Sequence, residues 1–328
     1  MPKRIKLLRL STINDVRLGF FSPDGKVLGL VGSEYVEVTE TITSRRVFRI
    51  SRAGAVILGA KFSPNRRYLA IAERSSAPSQ NVKFKVTLWD AASGKEKISL
   101  PVVGDVWYRN IEDISFSVDM LASNLGGIPR LWRTDDGTEA KRFLPSDDKE
   151  LSSERVLLSP DGNLLAVYLT KQNPVTNLVR VWNVATGDHI DLDVDVYRDW
   201  EFSADSKLLA VTATQRRGLP GEHSAVEVWD VINRQRIKII EVPKAWRSAY
   251  TLSFSPDSSM IAIGGYKKFG LFSATTGELV VSAMHPSFSL FSDNEIRNEL
   301  NDIEFSPDGK MLLTGGNDGN VKLWRLSS

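Results

Sequence analysis

The sequence predicts an all-β chain built from seven units of four antiparallel strands, and three observations predict it. An aromatic residue or leucine followed by Ser-Pro-Asp-Gly, or by a relative of that phrase, occurs seven times. No apolar pattern with the helical period reaches helical length. The 328 residues exceed the usual single core, yet they run on without a Pro/Gly/Ser-rich linker or a shift in composition. A repeat architecture accounts for such a length.

The phrase stands at Phe21-Ser-Pro-Asp-Gly25, Phe62-Ser-Pro-Asn65, Phe116-Ser-Val-Asp119, Leu158-Ser-Pro-Asp-Gly162, Phe202-Ser-Ala-Asp205, Phe254-Ser-Pro-Asp257 and Phe305-Ser-Pro-Asp-Gly309. The offsets are 41, 54, 42, 44, 52 and 51 residues, as a constant core with variable loops would give. Within a unit, the residues before the phrase alternate polar and apolar, as in Asp302-Ile-Glu-Phe-Ser306, and predict a half-buried strand. Pro-Asp-Gly is turn chemistry: proline sets φ, Asp bonds nearby backbone and Gly takes positive φ. A second apolar strand follows, such as Leu164-Leu-Ala-Val-Tyr168, then a third ending in Trp, such as Val179-Arg-Val-Trp182. After a second turn, Asn183-Val-Ala-Thr-Gly187 in the fourth unit, a fourth strand closes each unit, as Lys97-Ile-Ser-Leu100 does in the second.

Seven such units resemble the WD-repeat family of β-propellers, and the resemblance covers essentially the whole chain. The Trp position holds Trp89, Trp132, Trp182, Trp229 and Trp324, with Phe272 in the sixth repeat and Val38 in the first. Full Trp-Asp pairs occur only at Trp89-Asp90 and Trp229-Asp230, and the family's Gly-His dipeptide is absent, which marks a divergent member. The resemblance implies a seven-bladed propeller with blades starting near residues 16, 57, 111, 154, 198, 250 and 301 of a single domain spanning 1–328. The seventh repeat stops four residues after Trp324, one strand short, while residues 3–10 make one spare strand. Family members close their ring by lending an N-terminal strand to the last blade, and here the counts match.

Composition narrows the chemistry. With 42 basic and 40 acidic residues the formal charge is +2, so the balance announces neither a nucleic-acid binder nor an acidic tail. There is no cysteine, which removes disulfides, cysteine zinc sites and thiol nucleophiles. No apolar run approaches the roughly 18 residues of a membrane-spanning helix. The charged start lacks a signal peptide's apolar stretch, and the simplest expectation is a cytoplasmic protein, or a nuclear one in a eukaryote. His189, His223 and His285 are the only histidines, and each is expected on a surface loop or turn. Asp191-x-Asp-x-Asp195 resembles the start of a calcium loop without its Gly and distal Glu. It reads as carboxylates on an outer strand. Gly315-Gly-Asn-Asp-Gly319 reads as a hairpin turn, and Lys3-Arg4-Ile-Lys6 as the solvated rim of the closing strand. No metal or cofactor is expected.

By the family resemblance, the turns joining strands one to two and three to four share the bottom face. The loops joining strands two to three, and blade to blade, share the top. The insertions Arg74–Lys83, Lys171–Asn177 and Gln215–Ser224 and the long stretches Pro101–Asn110, Pro145–Glu154 and Ser282–Asn301 all fall on the top, although loop length also drifts without function. Aromatic residues with an adjacent arginine recur there: Trp107-Tyr108-Arg109 before the third blade, Tyr197-Arg198 before the fifth, and Trp246-Arg247 with Tyr250 before the sixth. Such residues favour interface hot spots, and the plainer alternative is that each aromatic plugs a gap between blades. Arg216, Arg217, Lys244, Arg247, Lys267 and Lys268 gather around blades five and six, with Arg52 nearby. Asp147, Asp148, Glu150, Asp191, Asp193 and Asp195 gather around blade four. The expected function is a non-catalytic interaction scaffold or complex subunit that binds a protein or peptide on the top face. The alternative is a phosphate reader, of phosphopeptide or RNA, using the basic arc. A propeller enzyme is the third reading.

Overall fold

The structure is a computed structural model, and it describes residues 4–10, 16, 18–75, 84–100, 114–124, 128–143, 151–172, 175–194, 196–214, 224–285, 299–317 and 319–327. It is all-β, seven blades of four antiparallel strands in a ring, a propeller almost without helix. The N-terminal strand β1 (Arg4–Leu10) stands apart from the first blade, which is β2 (Leu18–Phe21), β3 (Val27–Val31), β4 (Tyr35–Glu40) and β5 (Arg46–Ser51). The second is β6 (Ala55–Phe62), β7 (Tyr68–Ser75), β8 (Phe84–Asp90) and β9 (Glu96–Leu100). The third is β10 (Ile114–Ser117), β11 (Met120–Ser123), β12 (Arg130–Arg133) and β13 (Glu139–Arg142). The fourth is β14 (Ser152–Leu158), β15 (Leu164–Gln172), β16 (Val175–Asn183) and β17 (His189–Leu192). The fifth is β18 (Val196–Phe202), β19 (Leu208–Thr214), β20 (Ser224–Asp230) and β21 (Gln235–Glu241). The sixth is β22 (Thr251–Phe254), β23 (Met260–Gly264), β24 (Lys268–Ser273) and β25 (Leu279–Met284). In the seventh, β26 (Leu300–Phe305), β27 (Met311–Gly316) and β28 (Val321–Ser327) are completed by β1, which pairs antiparallel with β28. By internal contacts the chain divides into two compact units, Met1–Gly25 with Asp195–Ser328, and Lys26–Val194.

The repeated phrase builds the first hairpin of a blade. Ser22, Ser63, Ser159, Ser203, Ser255 and Ser306 donate their hydroxyls to the Asp or Asn two residues on, at 2.5–2.8 Å. The last five also accept the backbone N–H five residues on, at 2.8–2.9 Å, where strand two begins. One hydroxyl thus satisfies the turn and fixes the register of the hairpin. The turn needs a residue in the left-handed region, which Gly25, Gly162 and Gly309 supply, while Arg66, Ser206 and Ser258 occupy it at φ 61°, 62° and 58°. The third blade differs. There β10 and β11 pair through Ser117↔Met120, leaving only Val118-Asp119 between them, and Ser117 donates instead to Pro160 of the fourth blade at 3.1 Å.

The cores lie between neighbouring blades. Ala210, Val226 and Val228 of the fifth pack with Ile261, Ile263 and Phe272 of the sixth, and Leu165, Val167 and Trp182 of the fourth pack with Leu131 and Phe143 of the third. Polar side chains fasten the innermost strands to each other. Asp199 and Glu201 accept the N–H groups of Leu252 and Phe254 at 2.8 and 2.6 Å. Asp302 and Glu304 accept those of Gly19 and Phe21 at 3.1 and 2.9 Å. Ser115 does the same for Leu158 at 3.0 Å. Each innermost strand is a sheet edge whose alternate N–H groups point away from its own blade, and in the first, fourth and sixth blades a side chain of the preceding blade satisfies them.

The outermost edges are managed differently. Opposite the third strand's Trp position, which the register places at Thr39 in the first blade rather than at the expected Val38, the outer strand skips one residue in six of the seven blades: Val47, Lys97, Ala140, Ile237, Val280 and, in the closing strand β1, Leu8. So β1 reproduces the bulge of a regular fourth strand. These bulges bend an edge away from pairing with another chain. The fourth blade has none, pairing Trp182↔His189 and Val181↔Ile190 directly. Its edge carries Asp191 instead, bonded twice to Arg180 at 2.6 and 2.7 Å.

Two predictions follow from the turns. Bonds from the Ser203 and Ser255 hydroxyls hold the carboxyls of Asp205 and Asp257 below the usual carboxylate range. At Asp308 burial is the strongest influence and opposes this, but the bonds from Ser306 and the Lys310 N–H still leave it lowered. A lowered folded-state value means stability that is present above the ordinary carboxylate pKa and lost as pH falls through the folded one. A triple variant, Asp205→Asn, Asp257→Asn and Asp308→Asn, keeps the acceptors and loses the titration. Denaturant midpoints measured from neutral to acid pH should fall less steeply for the variant than for the wild type, and parallel curves would refute the assignment. Separately, Ser258→Gly should raise stability by up to about 1 kcal/mol by relieving the positive φ, while Gly162→Ala should cost about 1–2 kcal/mol. At that position φ is +78° and an added Cβ would lie 2.7 Å from Ser117 Oγ. Thermal unfolding of both variants reads the opposite signs.

Candidate partner-binding surface

The top loops of blades five, six and seven meet in one cluster. Tyr250 donates its N–H to Gly264 O, Tyr266 to Trp246 O and Leu300 to Gly265 O. Tyr266 and Glu299 form an isolated antiparallel bridge, and Asn317 N–H bonds Glu299 O at 3.0 Å. Turns between strands two and three and connections between blades therefore do share a face here.

Three cations are presented on it, each from an irregular piece of backbone. Arg198 lies where β18 slips its register between Val196 and Trp200. The Thr212 hydroxyl accepts the N–H groups of both Arg198 and Asp199, at 3.0 and 2.8 Å, and donates to Asp199 O. This bulge sends Asp199 toward blade six and leaves Arg198 39% exposed. The Arg198 guanidinium sits 4.5 Å from the centre of the Tyr250 ring and pairs with Glu299 at 2.8 Å.

Arg247 follows a short 3-10 turn, Lys244–Trp246, and has φ 62° and ψ −54°. Ser248 N–H bonds Trp246 O across it at 2.7 Å, so Arg247 is the centre of a γ-turn of the rare, strained, positive-φ kind. Trp246 anchors the turn from below. It is 3% exposed and meets Phe272 edge-on with ring centres 5.7 Å apart. Gly265 lets the turn approach, since a Cβ there would lie 2.7 Å from Ser248 O. The exposed Arg247 guanidinium lies over the ring of Tyr266, 4.2 Å from its centre. Lys267, at φ 57°, places its ammonium 5.3 Å from the same ring.

Some expectations change here. Trp246 and Tyr250, expected among the contact residues, are buried at 3% and 9%, because both fill the space beneath the loops. They position the cations. Arg198, Arg247, Lys267 and the half-buried Lys268 stay within reach of solvent. Trp107, Tyr108, Arg109, Arg216 and Arg217 lie outside the described residues, as do His223, Asp147, Asp148, Glu150 and Asp195, and of Tyr197 only its place in β18 is described. Arg52 is committed to Glu73, whose hydrogen bond at 2.7 Å raises the guanidinium above its ordinary value. His285 is not on a surface loop: it is 5% exposed, with Nδ1 2.9 Å from Nζ of Lys322, a fully buried lysine that strand alternation gave no reason to single out. The insertion Lys171–Asn177 is mostly ladder, since β15 and β16 pair out to Gln172↔Val175. Tyr266 and Glu299 were missed; the Gly264-Gly265 pair before Tyr266 is the signal of close backbone approach that marks the place. Among the described residues no group of three or more His, Asp or Glu could hold a metal ion, and no helix is long and apolar enough to cross a membrane.

Fold and surface thus define a seven-bladed β-propeller with irregular cationic loops on one face. Comparison with known proteins places it more closely. The family model for the WD domain, G-beta repeat, matches residues 289–325. Serine-threonine kinase receptor-associated protein from Homo sapiens is 23% identical over 261 residues, 77% of this chain and 64% of its own length, and the Gallus gallus protein is 24% identical over 260. The chain therefore spans less than two thirds of these relatives. Eukaryotic translation initiation factor 3 subunit I from Emericella nidulans is 28% identical over 180 residues, 49% of this chain and 50% of its own. Among solved structures, the Cps50 (Swd1) β-propeller domain of Myceliophteria thermophila superimposes with a TM-score of 0.73 at 15% identity, covering 99% of this chain and 100% of that one. The chain is a divergent relative of the WD-repeat propellers.

Replacing Thr212 by Val should cost about 1–3 kcal/mol, because two backbone N–H groups lose their acceptor in a buried bulge. Denaturant unfolding measures the cost. Hydrogen exchange at the Arg198 and Asp199 amides should accelerate beyond the global change, and unaltered local protection would contradict the role given to the hydroxyl.

Proposed function

We propose that this propeller is a non-catalytic interaction platform, or a subunit of a larger complex, that binds a protein partner on the face carrying Arg198, Arg247 and Lys267. The observation that carries the reading is the presentation of all three cations from a bulge, a γ-turn and a positive-φ residue. The positive φ at Arg247 and Lys267 costs of order 1–3 kcal/mol each and persists where surrounding structure over-determines it, as it does at binding sites. The relatives add support: one is named as associated with a receptor kinase and another as a subunit of a translation initiation factor. The residues Arg216 and Arg217 are proposed to extend the same surface, with Lys268 at its margin, and Trp107, Tyr108 and Arg109 to form a contact group of their own.

The test is affinity purification with mass spectrometry. A triple variant, Arg198→Ala, Arg247→Ala and Lys267→Ala, should lose the partners recovered with wild type. A control on the Ser-Asp turns, Lys207→Ala with Lys310→Ala, should keep them. Equal recovery by the triple variant would remove this face from the proposal.

A further inference from the structure

We infer that the cluster around Tyr250 and Tyr266 selects an acidic segment of a protein partner, extended in conformation and carrying carboxylates. The inference rests on the platform reading above and names the chemistry of its partner.

The two tyrosines do not present open ring faces to a cationic ligand. Arg198 lies 4.5 Å from the centre of Tyr250, and Arg247 and Lys267 lie 4.2 and 5.3 Å from that of Tyr266. What the cluster offers is therefore positive charge supported from beneath by aromatic rings. A guanidinium held over a ring keeps its charge, and its planar fork of N–H donors suits a carboxylate.

Among the described residues the charge balance around the cluster is one-sided. Lys244 and Arg247 are exposed, Lys267 and Lys268 half-buried, and Arg198 partly exposed. The acidic groups described beside them are Glu299, bound to Arg198, and Asp199, turned inward to the Thr251 hydroxyl and the Leu252 N–H at 2.8 Å each. A surface so biased accelerates encounter with an acidic partner and disfavours a basic one.

A protein segment fits better than a nucleic acid. The cations stand at separate loop tips from three connections, rather than along a stripe that tracks a phosphate backbone, and the tyrosines that would stack bases are buried or covered by cations. The overall charge of +2 adds no long-range field for a polyanion.

The γ-turn supplies a clean experiment. Arg247→Gly removes the cation and relieves the positive φ, so it should leave thermal stability equal or higher while weakening binding. The probes are a fluorescein-labelled peptide of alternating Glu and Ser, a Lys-Ser peptide of the same length, and single-stranded oligouridylate, followed by fluorescence anisotropy. The wild type should bind the Glu-Ser peptide, more weakly as salt rises, and should bind the other two far less. Arg247→Gly and Arg198→Ala should each weaken the acidic peptide about tenfold. Failure of the Glu-Ser peptide to bind, oligouridylate binding as tightly, or unchanged affinity in Arg247→Gly each overturns the inference. If the triple variant above still loses its partners while the Glu-Ser peptide fails, the platform stands and only the acidic partner falls. If neither depends on these residues, both fall.

Discussion

The fold depends on an edge problem that repeats at every blade. The innermost strand of a four-stranded sheet has one row of N–H groups that its own blade cannot use. At the first and sixth blades the preceding blade answers with side chains at fixed spacing, two carboxylates two residues apart for two N–H groups two residues apart. Asp199 with Glu201, and Asp302 with Glu304, are the fullest cases. Hydrogen bonds to a charged acceptor contribute about 1.5–3 kcal/mol, more than neutral ones, and an unsatisfied buried N–H costs a similar amount. The hydrophobic cores lie between blades, so this polar register also decides which apolar residues face each other.

With inner strands fastened and bottom turns held by the Ser-Asp bonds, irregular backbone is affordable on the top. The γ-turn at Arg247 survives because Trp246 is locked in the core below it and Gly265 gives way beside it. The bulge at Arg198 survives because one buried hydroxyl, Thr212, serves two N–H groups. Rigid support and strained display are two halves of one arrangement, which is what loops positioned by a scaffold require.

Much of this was legible in the sequence. The seven phrases marked the first hairpins, the strand deficit after Trp324 matched the surplus before the first phrase, and β1 does pair with β28 in the register of a fourth strand. The third blade's short turn was less visible, because Phe116-Ser-Val-Asp119 resembles the phrase while its strand two starts two residues early. Alternation in Asp302-Ile-Glu-Phe located a strand but could not say that its polar side reaches a neighbouring blade. Pattern within one strand carries no information about what lies across the gap. The same limit hid the burial of Trp246, Tyr250 and His285: a loop position looks exposed in sequence until other loops close over it. Val175 and Thr176 disguised a hairpin extension as a loop, though β-branched residues favour the ladder they form.

The absence of the Gly-His dipeptide in every repeat raises the question of what replaces it, and the structure holds an answer within single blades. Trp132 Nε1 donates to Ser123 at 2.9 Å and Trp324 Nε1 to Thr314 at 2.8 Å, each tying strand three to strand two. Trp229 turns instead to Glu227, two residues back on its own strand, because strand two offers Val211 at that place. Trp132, Trp324 and Trp229 thus reach equivalent satisfaction through different partners, while the buried Trp89 Nε1 of the second blade has none among the described residues. A TM-score of 0.73 at 15% identity is what such a fold permits. The constraints are a donor satisfied, an edge covered and a turn residue of the right φ, and several residue types meet each of them. Side-chain identity is then released from the fold most completely at the loop tips, where the cations of the top face stand.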